Sequence, residues 1–281
     1  PGAHRATESK PSSNPTTSTP APIDAVLFDK DGTMSLSEPM LETLAKARVS
    51  HCLELAALED EPERRRQLRD LLQRAYGLSP AGIHPAGTMA VASRGHNLVS
   101  TATTLAMVGF GWPEALALSE EVFARTDALH GEGSQQRPQP SEGLGAFLDA
   151  LRDAGVLCAV ISNDHQEGIE AFLAANDFSG HVQAVWSADH RPCKPDPAAV
   201  HGVCRELGVP PGRCALIGDA NSDLRMARAA GVPVVLGYRA GWRQPPPLDT
   251  AFPQLHHWSE LRVGRSSASP SCFAARPPTC L

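Results

Sequence analysis

Paired cysteines are missing from this chain. Its seven cysteines stand apart at 52, 158, 193, 204, 214, 272 and 280, with no C-x-x-C pair. That spacing argues against a zinc site and against a disulfide framework, and it fits a reduced, cytoplasmic compartment. Long hydrophobic runs are missing too. None approaches the ~20 residues needed to span a bilayer, so no membrane is expected as a partner. Positive charge is in deficit: 25 Lys and Arg against 31 Asp and Glu give a formal net charge of -6. Nothing in that balance calls for a nucleic acid partner. The local run Arg64-Arg65-Arg66 follows Glu59, Asp60, Glu61 and Glu63, and reads as a solvated helix face with compensating charges. Residues 1–22 are rich in Pro, Ser and Thr, lack the apolar stretch of a secretory signal, and are expected to be a disordered tail. The small, polar stretch 263–281 is expected to be a second disordered tail.

What remains has the composition of a globular chain, 42% hydrophobic and 20% charged. It is long enough for one α/β domain and a smaller one. The apolar run Ala25-Val26-Leu27-Phe28 reads as a buried strand. After it the pattern is helical for about a hundred residues. Met40, Leu41, Leu44, Ala47, Arg48, Cys52, Leu55 and Ala56 recur at helical spacing, as do Leu68, Leu71, Leu72 and Ala75. Leu98, Ala102, Leu105 and Ala106, then Ala115, Leu118, Val122 and Phe123, continue it. The spacing predicts a helical insertion over 37–137 without strands, closed by the return linker Arg137-Pro138-Gln139-Pro140. From Ser141 helices and strands alternate: helix 142–153, strand 156–161, helix 166–175, strand 182–186, helix 197–207, strand 214–217, helix 222–230 and strand 232–236. Such alternation predicts a doubly wound parallel sheet, a Rossmann-like core built from 23–36 and 138–262. Ligands of these folds bind beyond the carboxyl ends of the strands.

Polar groups stand at those ends. The first strand runs into Asp29-Lys30-Asp31-Gly32-Thr33. Side chains alternate along extended backbone, so Asp29 and Asp31 can face one side and Lys30 the other, with Gly32 freeing the chain to turn. Taken alone the motif is also compatible with a surface turn. Later strands contribute Ser162-Asn163-Asp164 and Gly218-Asp219-Ala220-Asn221-Ser222-Asp223, and Cys193-Lys194-Pro195-Asp196-Pro197 precedes a helix. Each is weak singly, as a turn, a loop or a cap. Together, in order at one sheet edge, they make a crevice for a phosphate and a divalent cation. A phosphate monoester is anionic and inert. Mg²⁺, a hard ion that prefers oxygen ligands, can be held by Asp29 and Asp219 and relieve the repulsion between ester and carboxylate. Lys194 and the Ser162 hydroxyl would meet the phosphoryl oxygens.

The ordered set resembles the haloacid dehalogenase-like hydrolase superfamily, whose four motifs correspond to Asp29-Lys30-Asp31-Gly32-Thr33, Ser162, Lys194 and Gly218-Asp219 through Asp223. The resemblance covers about residues 23 to 261. It implies that Asp29 is the nucleophile, forming an aspartyl-phosphate, and that Asp31 is the general acid and base. Ser162, with Asn163, and Lys194 would hold the phosphoryl group. Asp29, Asp31 and Asp219 would form the Mg²⁺ site, supported from behind by Asp223. The insertion looks like a C1 cap domain of the kind found in phosphoglycolate phosphatase-like members, although Ser35-Leu36-Ser37-Glu38-Pro39 departs from the commoner Asp-Ser entry to such a cap. Gly87, Arg94 and His96 are its candidate substrate readers, against the alternative that Arg94 and His96 are plain surface residues. The implied function is a Mg²⁺-dependent phosphatase acting on a small phosphorylated metabolite, phosphoglycolate-like or a sugar phosphate. A phosphomutase resembling β-phosphoglucomutase, or a non-catalytic binding module that kept the fold, is the alternative. A dehalogenase is disfavoured, since Asp31 is present. The sequence leaves the oligomeric state open.

Overall fold

The computed structural model describes residues 22–131, 138–266 and 269–275. The expectation for residues 1–22 falls, but for the last of them, outside the described residues. In chain order the elements are β1 (Ala25–Phe28), β2 (Ser35–Leu36), α1 (Glu38–Leu55), α2 (Pro62–Tyr76), β3 (Leu78–Ser79), β4 (Gly82–Ile83), α3 (Thr88–Val91), α4 (Arg94–Met107) and α5 (Trp112–Gly131). They continue as β5 (Gln139–Pro140), α6 (Leu144–Asp153), β6 (Leu157–Ile161), α7 (Gln166–Ala175), β7 (Ala184–Trp186), α8 (Pro197–Leu207), β8 (Cys214–Gly218), α9 (Asn221–Ala229), β9 (Val234–Tyr238), β10 (Gln254–Leu255), β11 (Leu261–Ser266) and β12 (Ser269–Ala275).

Six strands form one parallel sheet in the order β10-β9-β8-β1-β6-β7. Both faces are buried, which is why its strands read as continuous apolar runs. Alternation still sorts the side chains. Val26, Phe28, Cys158, Val160, Ala215 and Ile217 join α6 and α7 in one core, while Ala25, Leu27, Ala159, Ile161, Cys214 and Leu216 join α8 and α9 in the other. The chain starts in the middle of the sheet, builds β6 and β7 on one side, then crosses to β8 and β9 on the other. That reversal places the crevice of a doubly wound sheet at the carboxyl end of β1.

Residues 38–131 are mostly helical and enclose a third core, with Cys52, Leu68, Leu72, Tyr76, Leu105 and Phe123 at its centre. Here three expectations are corrected. The insertion contains a hairpin, β3 with β4. Gly77 closes α2 in the left-handed conformation at φ 72°, and Gly82 turns the chain at φ 111°. Strands of two residues carry no period-2 signal, so composition could not reveal them. Within the return linker Gln139 and Pro140 likewise form a strand: β5 pairs antiparallel with β2, tying the two crossings between core and insertion together. Finally, of the tail expected to be disordered from Val263 onward, residues 263–266 and 269–275 pair in the ribbon β11-β12, and the rest falls outside the described residues. Backbone pairing needs no large apolar side chain, and Leu261 and Val263 pack on the first core. Among the described residues no helix is long and apolar enough to cross a membrane.

Trp258 closes the first core. It stacks on Phe147 and Tyr238, with ring centroids 5.4 and 4.7 Å away, and its indole N–H donates to Ser141 Oγ at 2.8 Å. Trp258→Ala is expected to lower the unfolding free energy by about 3–5 kcal/mol, measured by urea denaturation. A loss below about 1 kcal/mol would place Trp258 outside the cooperative core.

Candidate active site

β1 delivers Asp29 at its carboxyl end, and the Asp29 N–H donates to Ile217 O of β8 at 2.9 Å. The carboxylate Oδ1 accepts from Lys194 Nζ at 2.6 Å. Lys194, from the loop before α8, also reaches Asp223 Oδ1 at 3.0 Å and Ile161 O at 3.3 Å. Asp219 follows β8 directly and Asp223 lies in the first turn of α9. Asp29, Asp219 and Asp223 are buried, and each places a carboxylate oxygen within 4.8 Å of the other two.

Three carboxylates crowd around one ammonium, and their proton affinities show it. Burial, then the charges of Asp29 and Asp223, hold Asp219 well above the ordinary carboxylate range. Burial pushes Asp223 up to about 6, Lys194 opposing and Asp29 adding. Burial works against the Lys194 ammonium, but Asp223 and Asp29 outweigh it and the group is held above its usual range. The cluster is therefore short of positive charge. Clustered buried carboxylates are the donor set of a hard divalent cation, so these residues fit Mg²⁺.

Asp31 lies apart from that trio. The chain leaves extended geometry at Lys30, so alternation ends there, and Lys30 does not face away. Its ammonium pairs with Asp31 Oδ1 and with Asp164 Oδ2, both at 2.9 Å. Asp31 also accepts from the Ser37 hydroxyl, which in turn sits 2.7 Å from Ser35 Oγ. The turn itself requires glycine: Gly32 has φ +77°, and a Cβ there would collide with the Trp242 indole and the Asp219 carboxylate. Trp242 reaches in from the loop after β9 and donates its indole N–H to Asp219 Oδ2.

A cavity of about 230 Å³ opens over these groups. The core contributes Asp29, Asp31, Ser162, Asn163, Lys194, Asp219 and Asp223 to its walls. The Ser162 N–H donates to Trp186 O at 2.9 Å, and its Oγ accepts from the Asp164 N–H at 3.1 Å. Asn163 Nδ2 donates across to Val91 O at 3.0 Å, joining core to insertion. From the insertion come Arg48, Met89, Arg94 and Asn97, among others. Of the three candidate readers, Arg94 lines the cavity; Gly87 and His96 do not. Gly87 instead begins α3, packed so closely on Tyr76 and Gly77 that a Cβ would strike their backbone. His96 is exposed on the first turn of α4.

Arg48, Met89, Asn97 and Trp242 stand at the site without a motif to mark them. Arg48 left one signal, a charged residue at an apolar position of the first helical stripe. Asn97 and Trp242 left none, because their roles arise from packing between distant segments.

A family model described as hydrolase, haloacid dehalogenase-like hydrolase, matches residues 23–231. A phosphoglycolate phosphatase of Thiobacillus denitrificans is 31% identical over 129 residues, 44% of this chain and 57% of that protein, so the chain spans little more than half of that relative's length. A phosphoglycolate phosphatase of Xylella fastidiosa is 28% identical over 251 residues, covering 86% of this chain and 94% of the relative. Among solved structures, that of a predicted phosphoglycolate phosphatase from Haemophilus somnus superposes with a TM-score of 0.56 at 18% identity, covering 83% of this chain and 93% of the other. It shares the fold.

Mg²⁺ should raise the thermal unfolding midpoint relative to excess chelator, because an ion bound to the folded state alone stabilises it by about 2.7 kcal/mol at a hundredfold excess over its Kd. Asp219→Asn should lose most of that gain yet equal or exceed the parent's midpoint in chelator, since it removes one charge from a crowded trio. An identical midpoint with and without Mg²⁺ in the parent would contradict the cation site.

Proposed function

The chain belongs to the haloacid dehalogenase-like hydrolases, and from that premise we propose that it is a Mg²⁺-dependent phosphatase of a small phosphorylated metabolite, phosphoglycolate-like or a sugar phosphate, acting through an aspartyl-phosphate on Asp29. One observation carries this reading: two carboxylates of different environment, Asp29 beside Lys194 and Asp31 beside Lys30 and Ser37, line one small cavity. Groups set apart in this way suit a nucleophile and a proton carrier.

In the first half-reaction an Asp29 carboxylate oxygen attacks phosphorus. The bond to phosphorus forms as the ester P–O bond breaks, and Asp31 gives its proton to the departing oxygen. In the second half Asp31 takes a proton from water, the water oxygen attacks phosphorus, and Asp29 leaves as a free carboxylate. Lys194 and the Ser162 hydroxyl hold the equatorial oxygens throughout. Lys30 and Ser37 fix the direction of Asp31. Mg²⁺, held by Asp29, Asp219 and Asp223, would supply the positive charge that lets a phosphate dianion approach a carboxylate. The helices of residues 38–131 act in this reading as the cap that excludes water and meets the leaving group.

An aryl phosphate provides the test, since its leaving group needs little protonation. Asp29→Asn should abolish hydrolysis. Asp31→Asn should slow turnover by ~10²- to 10⁴-fold and let a phosphoenzyme accumulate. Acid quench, intact-mass analysis and peptide mapping would locate the adduct. Finding it on Ser162, or in Asp29→Asn, would overturn the assignment.

A further inference from the structure

The end of the cavity away from the acid cluster carries a charge that the phosphoryl chemistry does not use. Arg48 lies on α1, 4% exposed, and lines the cavity. Its N–H donates to a weak acceptor, the Met89 thioether sulfur, at 3.4 Å. Its Nε is buried without a partner. The guanidinium is held in place by the Phe123 ring, whose centroid lies 3.9 Å from its central carbon. It is positioned, then, but not neutralised.

The neighbouring charges sharpen this. Arg94 lies 5.2 Å from the same ring and binds Asp127 Oδ2 through Nε at 2.9 Å. Asp127 is thus committed to Arg94. Two guanidiniums and one carboxylate leave a single positive charge in excess at this wall. Burial lowers the Arg48 pKa to about 10, which still leaves it ionised at neutral pH. The Asp127 carboxylate favours the Arg48 charge only through space; an ionised group buried without a counter-charge in contact is costly, and such a group in a binding cavity is relieved by an anion on the ligand. Beside it Asn97 donates through Nδ2 to three backbone carbonyls, which fixes the amide, while its Oδ1 is buried without a partner.

We propose that Arg48 is a specificity-determining residue that receives a carboxylate on the leaving group, so that the substrate is a phosphate monoester of a hydroxy acid rather than of a neutral sugar. The assignment rests on the phosphatase reading of the same cavity. One excess charge matches a carboxylate. A second phosphate dianion would overcompensate it and meet Asp127. A neutral sugar would leave Arg48 as unpaired as it is now. Asn97 Oδ1 is free to accept from a hydroxyl beside the carboxylate.

The test is calorimetric titration of the Mg²⁺-loaded protein with two inert phosphonates, 3-phosphonopropionate and propylphosphonate, which differ in the carboxylate. The parent should bind the first about 10- to 100-fold more tightly, the range of a charge-assisted hydrogen bond. Arg48→Met should bring that ratio towards one. Arg48→Lys should keep part of it, as a point charge without the planar fork. A ratio near one in the parent, or an unchanged ratio in Arg48→Met, would overturn the proposal. If Arg48→Met does not fold, Arg48→Lys decides, and an unchanged ratio there overturns it. Hydrolysis of the matching esters separates the two readings. A binding ratio that stands while no ester is cleaved sinks the phosphatase and leaves Arg48 as assigned. Cleavage without any carboxylate preference in binding does the reverse.

Discussion

One lysine among three buried carboxylates is the constraint around which the structure is arranged. Lys194 spans Asp29 and Asp223 at 2.6 and 3.0 Å, with Asp219 alongside. Such a cluster is unfavourable in isolation, since buried like charges oppose folding. It is held by backbone that cannot relax. β1 and β8 are buried on both faces and hydrogen-bonded on both edges, so the acids at their ends have nowhere to retreat. The cores described above thus act on the site, fixing charges where a divalent cation would neutralise them.

The same rigidity extends towards the insertion. The turn at Gly32, the Trp242 indole on Asp219 and the close approach of Gly241 to the Gly32 carbonyl lock the loop after β9 over the turn that follows β1. Buried Glu38, at the start of α1, accepts from Ile83 N–H at 3.1 Å and Arg243 N–H at 2.7 Å. That joins the same loop to the β3-β4 hairpin. Trp242, whose indole donates to Asp219, also packs in the core of the insertion's helices. The insertion and the acid cluster are thus joined through this loop as well as through the β2-β5 pairing.

The parallel sheet and the convergence of four segments were legible because each acid, hydroxyl or ammonium stands directly behind an apolar run or before a helix. Position along a strand is a property of local sequence. The finer arrangement is not. Asp223 reaches the acid trio and Asp31 does not, because the first turn of α9 folds back over β8 while the chain at Lys30 abandons alternation. Gly87 and His96 stand at suggestive places, yet Gly87 serves the close packing on Tyr76 and Gly77 and His96 is exposed on α4 away from the cavity. Arg48 was written as one member of an amphipathic stripe, and only the fold shows that this position of the stripe opens on a cavity. The ribbon β11-β12 rests on backbone pairing, which composition does not encode.

The central claim, that a carboxylate of this chain carries the phosphoryl group between two displacements, is tested most directly by stereochemistry. A phosphorothioate monoester made chiral at phosphorus with oxygen isotopes would be hydrolysed in water of a third isotope, and the configuration of the released thiophosphate determined. Two in-line displacements, the first by Asp29 and the second by water, predict net retention. Net inversion would mean that water attacks the ester directly, and would contradict the account.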